Sequence, residues 1–269
     1  MSSGNFALPQ MGTTRLADLP EDKARELRTT GEIIGAYLLG IGAIGGAAGR
    51  DPTFRERHLL PYLVQDLTEA TVSIRMLMTE GVHRVAKREL RFILEASAKL
   101  AAVQQSDHDK DISLRVIQFD ELLSSHKISI QKSVELEMLP EAVRRQFVDE
   151  VGKLYRGSSS YVHWTPAQIA ERGEALASGR VAGQETAEEI IGLNKTLART
   201  LAASLVLILH SVSPSVSGDI LVEPDGSTWD WYFTRSKFIA TIDSFFDYKH
   251  ERQRDLIAIQ GHRASRLAF

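Results

Sequence analysis

Apolar residues return every three or four positions through most of this chain, and that is the period of an α-helix rather than of a strand. Leu60, Leu63, Leu67, Ala70, Ile74, Leu77 and Met78 form one such stripe. Ala86, Leu90, Ile93, Ser97, Leu100 and Ala101 form a second, over about 82–105. Ile112, Val116, Phe119 and Leu123 form a third, and Val143, Phe147, Val151 and Leu154 a fourth. A helix with one apolar face has to bury it against another element. Several such helices in succession predict an all-α helical bundle.

The punctuation between the stripes agrees with this. Gly81 separates the first two helices, and Asp51-Pro52 reads as a helix start with Asp as N-cap and Pro in the first turn. Pro140 suits the first turn of the fourth helix, which the sequence carries on to about His163. Thr165-Pro166 opens a short helix ending near Gly179. Thr186-x-x-Glu189 is a capping box in front of a long helix over 187–211. Within it Leu201–Leu209 is apolar on every face, so this helix belongs at the centre of the bundle. Residues 126–138 carry no clear period.

Three regions follow. Residues 1–30 form an N-terminal arm, with a short solvated helix over 21–30. Residues 31–213 form the bundle, and 214–269 a C-terminal hairpin and helix packed on it. Ile220-Leu221-Val222, the turn Glu223-Pro-Asp-Gly-Ser227 and Trp229–Phe233 have the pattern of a β-hairpin with an Asp-Gly turn. Ser236 then caps a last helix carrying Phe238, Ile239, Ile242, Phe245 and Phe246. On this reading Trp229, Trp231 and Tyr232 offer a face to a protein partner.

Ile33–Gly49 is the segment that fits least easily. Its seventeen residues hold no charge, which reaches the lower limit for a membrane span. Six glycines, at 35, 40, 42, 45, 46 and 49, dilute it, with Gly31 just ahead, each costing a helix roughly 1 kcal/mol relative to alanine. Arginines flank both ends, so no orientation is encoded. A closely packed buried hairpin or helix is the preferred reading, and a membrane anchor over 31–49 the alternative.

Composition narrows function by exclusion. Of 269 residues none is cysteine, which removes disulfides, thiolate metal sites and cysteine nucleophiles together. A net charge of −3 gives no global positive field for nucleic acid. The basic tail, with five Lys or Arg and two acids over 249–266, reads first as a solvated face. The start, MSSGNFALPQ, lacks a basic region followed by an apolar run, which points to a cytoplasmic protein.

Most motif matches are coincidences of text. Gly40-Ile-Gly-Ala-Ile-Gly45 matches the dinucleotide fingerprint, yet no strand-turn-helix rhythm surrounds it and close backbone packing accounts for it. Asp107-His108-Asp109-Lys110-Asp111 has metal-ligand residue types, but neighbours in sequence rarely converge on one ion, and a solvated loop ending in a helix N-cap suffices. No cofactor motif is present. Arg91, Glu95 and Lys99 stand four apart on one helix, as a surface ladder of i,i+4 pairs or as an Arg/Glu pair facing a groove; the ladder is the simpler reading.

The most informative segment is Tyr155-Arg156-Gly-Ser-Ser-Ser160-Tyr161-Val-His163-Trp164-Thr-Pro166. Seven residues on a helix turn about 700°, so Arg156 and His163 fall within about 20° of each other. They flank the core position Val151, where polar side chains can line a groove. Gly157 and the serines leave room for a phosphate to come close. The plain structural alternative pairs Arg156 with Asp149 or Glu150 and lets His163 cap a helix end beside Trp164.

An arginine followed within a few residues by a histidine, late in an all-α bundle, resembles the signature of the HEPN superfamily. The run Thr79 to Glu95, with its Arg91-Phe-Ile-Leu-Glu95 helix and later Tyr-Val-His163, also resembles a family of bacterial helical proteins; the likeness covers about 55–210. HEPN members include metal-independent ribonucleases of toxin and antiphage systems, and others that act as partners or scaffolds. The resemblance implies an HEPN-like fold, RNA as substrate and a homodimer whose two motifs face one cleft. It implies catalytic roles for Arg156 and His163, with Arg91, Glu95, Ser160 and Tyr161 in support. His163 would move protons, its pKa lying near neutrality, and Arg156 would stabilise charge on the phosphorane. The family often carries a polar residue directly after the arginine; here that residue is Gly157. The competing expectation is a non-catalytic interaction protein.

Overall fold

The computed structural model describes residues 14–106, 110–123, 133–159, 166–177 and 185–269. Its helices are α1 (Glu21–Ala48), the single turn α2 (Phe54–Arg57), α3 (Leu60–Thr79), α4 (His83–Gln105), α5 (Ile112–Leu123), α6 (Glu141–Ser159), α7 (Pro166–Ala177), α8 (Ala187–Ser211), α9 (Pro214–Leu221), α10 (Lys237–Phe245) and α11 (Leu256–Arg266). The protein is an all-α bundle. Four long helices make its core: α8 packs on α1 and α4, and α3 packs on both of those from the other side.

Cross-helix contacts set the directions. Thr30 hydrogen-bonds Asn194 and Tyr37 hydrogen-bonds Ser204, so α1 and α8 run the same way. Ser97 meets Ser204, and Gln105 reaches the His210 carbonyl, so α4 also runs parallel to α8. α3 is antiparallel to α4 through a tight connection. Gly81 takes φ 69°, the Val82 N–H bonds the Leu77 carbonyl, and the Gly81 N–H bonds that of Met78. This is a Schellman end, and it explains why the helix stops at a glycine. α6 lies across α4 and α8 in the opposite direction.

α8 is the axis, as its sequence predicts. Leu201, Leu205, Val206, Leu207 and Ile208 are all fully buried. Its capping box forms, with Thr186 Oγ1 accepting from the Glu189 N–H and Glu189 accepting from the Thr186 N–H.

Three expectations change. The short helix at 21–30 and the glycine-rich stretch are one helix, α1, running through residue 30 without a break. Ile33, Tyr37, Gly40, Ile41 and Ile44 face inward, while Gly35, Leu39, Gly42 and Gly46 face out. Asp51-Pro52 starts only a turn, in which the Asp51 carboxylate accepts from the Thr53 N–H and hydroxyl. The helix that follows begins at Leu60, where His58 Nδ1 accepts the Leu60 N–H.

The third change is at the C-terminus, where no β-hairpin forms. Pro214 initiates α9, which takes Ile220 and Leu221 into a helix. The turn does form: the Gly226 N–H bonds the Glu223 carbonyl, and the Glu223 N–H bonds that of Ser227. Only one antiparallel bridge, Val222 to Thr228, flanks it. Gly226 takes φ 86°, and a Cβ there would stand 2.2 Å from the Glu251 carbonyl oxygen. Residues 232–235 then coil into a 3-10 turn instead of a strand, because Trp231 and Phe233 are both drawn into the core.

Candidate functional site

The seam between α4 and α6 brings together three polar residues. On α4, Arg91 Nε donates to Glu95 Oε1 at 2.8 Å. Across the seam, Arg91 Nη2 donates to the phenol of Tyr155 at 2.9 Å, and its guanidinium lies 4.7 Å from the centre of that ring. Burial, then the Glu95 charge, raises the Tyr155 pKa above its ordinary value against the opposing pull of Arg91, so the phenol stays protonated. The Arg91 and Glu95 side chains are only 17% and 25% exposed. They form an interhelical cluster rather than a solvated ladder, and Lys99, the third member of the spacing, is buried.

Arg156 follows Tyr155 directly and is exposed on α6. Its guanidinium folds back beside Gly152, where a Cβ would lie 3.3 Å from Nη1. Glu150 is not its partner, because both Glu150 oxygens are taken by Arg199 of α8. Ser160, Tyr161 and His163 lie outside the described residues, as do Asp107, His108 and Asp109. Asp111, at the end of that acidic run, does cap α5 through the Leu114 N–H.

The remaining motifs resolve into packing. Gly40–Gly45 sits inside α1 and is no strand-to-helix turn. Gly40 is instead the point at which Trp231 meets the bundle. Of the three C-terminal aromatics, Trp231 is buried and stacks on Trp229 at 4.3 Å, while Trp229 and Tyr232 are half-buried. Among the described residues no three His, Asp or Glu side chains gather as a metal site would need. α1 and α8 are both long and apolar enough to cross a membrane; 72% of the α8 window is buried within the protein, against 39% for α1.

Sequence reasoning missed two polar clusters. Tyr155 completes the Arg91–Glu95 pair; its signal was its place beside Arg156 on the flank of α6. The second cluster joins α10 to the C-terminal residues. Fully buried Arg252 donates to Asp243 Oδ1 at 2.6 Å and to Asp247 at 3.0 Å. Arg263 donates to the other Asp243 oxygen at 2.7 Å and to Asp247 at 2.7 Å. A narrow cavity beside it is lined by Thr228, Trp231, Asp243 and Arg263.

Comparison with protein-family models, curated proteins and solved structures finds no match.

Proposed function

We propose that this protein is an HEPN-like, metal-independent endoribonuclease of a bacterial toxin or antiphage system, in which Arg156 and His163 act on RNA. The observation that carries the reading is Arg156 itself. It stands exposed on a helix braced by the Arg91–Glu95–Tyr155 cluster, and Glu150, one of the two acids the sequence offered it as a partner, is engaged by Arg199. A guanidinium in that position suits an anionic ligand. His163 takes the proton of a 2′-hydroxyl, whose oxygen attacks the adjacent phosphorus. The 5′-oxygen then leaves with a proton, giving a 2′,3′-cyclic phosphate and a 5′-hydroxyl. Arg156 balances the charge that builds on the phosphorane oxygens. A homodimer that joins two such motifs belongs to this reading.

The test is cleavage of varied RNAs by purified protein in EDTA, beside His163→Ala and Arg156→Ala. The expected result is cleavage by the native protein and none by either variant, both still folded by circular dichroism. Equal cleavage by the variants, or none by the native protein, sinks the reading.

A non-catalytic interaction protein is the second reading, and α5 favours it. Leu114, Val116 and Ile117 are more than half exposed, while Arg115 is buried with its guanidinium on the Val103 and Gln104 carbonyls. A helix that turns an arginine inward and three apolar side chains outward presents a surface suited to a protein partner.

A further inference from the structure

We infer that the outer face of α1 is a contact between two copies of this chain, paired antiparallel about a two-fold axis between residues 40 and 41. The inference uses neither Arg156 nor the cleft of the ribonuclease reading, so the two stand or fall separately.

A helix face turned to water normally carries charge. α1 has no charged residue from Ile33 to Gly49, and its exposed stripe there is Gly35, Leu39, Gly42 and Gly46. Leu39 is 56% exposed, and a Cβ built on Gly35, Gly42 or Gly46 meets nothing within 4 Å. The uncharged surface continues onto α3. The Arg75 guanidinium lies beside Gly31, and Val64, Thr68 and Val72 recur at helical spacing on that same side of α3. Val72 is 40% exposed.

Bare backbone decides which occupant fits. A lipid surface is gripped by large apolar side chains, and the α1 stripe offers it Leu39 alone. A second helix, by contrast, comes closest where side chains are missing.

Charge and bulk set the direction. A parallel pair would place Leu39 on Leu39 and Glu32 on Glu32. An antiparallel pair places Leu39 over the partner's Gly42, Gly35 against the partner's Gly46, and Glu32 beside the partner's Arg50, each contact occurring twice by symmetry. Glu32 and Arg50 are both exposed, and neither makes an ion pair or hydrogen bond with a described residue. The Asp51 carboxylate next to Arg50 is engaged by Thr53. From Glu32 to Arg50 the face is about 27 Å long, and two adjoining helices make it roughly 20 Å wide. Roughly 500 Å² per copy is the low end for a specific interface, so the dimer dissociates on the order of 10–100 μM.

Sedimentation velocity of the full chain, over a wide range of concentration around that value, tests the pairing. Gly42→Leu fills the gap that receives Leu39 while touching nothing in the single copy, and it is expected to raise Kd roughly tenfold or more. Glu32→Arg and Arg50→Glu should each raise Kd roughly threefold. Combined in one chain they restore the native Kd, because the two charges have exchanged places across the axis. Circular dichroism checks each fold, and should Gly42→Leu fail to fold, the charge exchange decides alone. Flotation with uncharged phosphatidylcholine vesicles covers the other occupant.

A chain that stays monomeric throughout, a dimer indifferent to a folded Gly42→Leu, or a double charge variant no tighter than the single ones overturns the inference. So does vesicle flotation that Leu39→Ser abolishes, which makes lipid the occupant. A dimer that follows residues 32, 42 and 50 without RNA cleavage in EDTA leaves the pairing and removes the ribonuclease. Cleavage by a chain whose assembly ignores these residues does the reverse.

Discussion

Gly40 and Trp231 meet so closely that a Cβ on residue 40 would stand 2.6 Å from Cζ3 of the indole and 3.0 Å from Leu205 Cδ2. This contact joins three parts of the chain: the glycine-rich helix, the central helix and the C-terminal segment. The same helix carries glycines of the opposite kind, for nothing lies within 4 Å of a Cβ built on Gly35, Gly42 or Gly46.

The two kinds should respond with opposite signs to one substitution. Gly40→Ala gains helix propensity but overpacks the indole, and it is expected to destabilise by about 1–3 kcal/mol. Gly42→Ala gains about 0.5–1 kcal/mol, because alanine restricts the unfolded chain and fits the helix. Urea melts of the two variants check this; equal shifts would show that Trp231 does not dock on α1.

Asp243 holds two arginines, one wholly buried and one nearly so, and accepts a further bond from Thr228. Asp243→Ala strands Arg252 and Arg263 and should cost about 3–5 kcal/mol, as breaking a buried pair does. Replacing all three with apolar residues of similar volume should cost much less. Comparing the single and triple variants by chemical denaturation separates a stranded charge from lost packing.

His58 and His210 make acid stability a measurable property of the core. Burial pushes each pKa down to about 4, against the raising effect of a backbone carbonyl contact, at Ser211 for His58 and Val206 for His210. The unfolded chain takes up protons near pH 6.5 and the folded protein only near 4, so stability is lost as pH falls across that window. The loss is on the order of 3 kcal/mol for each imidazole, at about 1.4 kcal/mol per pKa unit. Proton uptake on unfolding at pH 5 should fall by about one in His58→Gln. An unchanged uptake would place His58 in solvent.

Tyr37 places its phenol in the centre of the bundle, 2.9 Å from Ser204 Oγ, which lies 2.6 Å from Ser97 Oγ. Tyr37→Phe removes one member and leaves the two serines paired, so the expected cost is about 1 kcal/mol. Ser204→Val strands the Tyr37 phenol, while Ser97 keeps its bond to the Ile93 carbonyl, and should cost more. Their order in thermal melts tests whether Ser204 is the hub.

The helices and their ends were legible because they depend on neighbours in sequence. The apolar stripes, the Thr186–Glu189 box and the Gly81 stop each need only a few consecutive residues. The all-apolar run at Leu201–Leu209 also reveals its central position. The Asp-Gly turn was legible too, yet the strands around it were not. Alternation over five residues cannot foresee that Pro214 will launch a helix or that Trp231 will find Gly40.

At the candidate site, sequence alone marked Arg91, Glu95, Arg156 and His163, since a helical period orders residues on one face. It left open whether Arg91 and Glu95 meet solvent or another helix. Only the tertiary structure set Tyr155 against them, because a contact across 64 residues depends on how α6 crosses α4. The Asp243–Arg252–Arg263 cluster has the same origin. Charges scattered through a basic tail carry no sign that they will be buried, and only the fold of 214–269 onto α1 and α8 buries them. Local order is written in spacing, but the partner of a buried charge is chosen when distant helices close on one another.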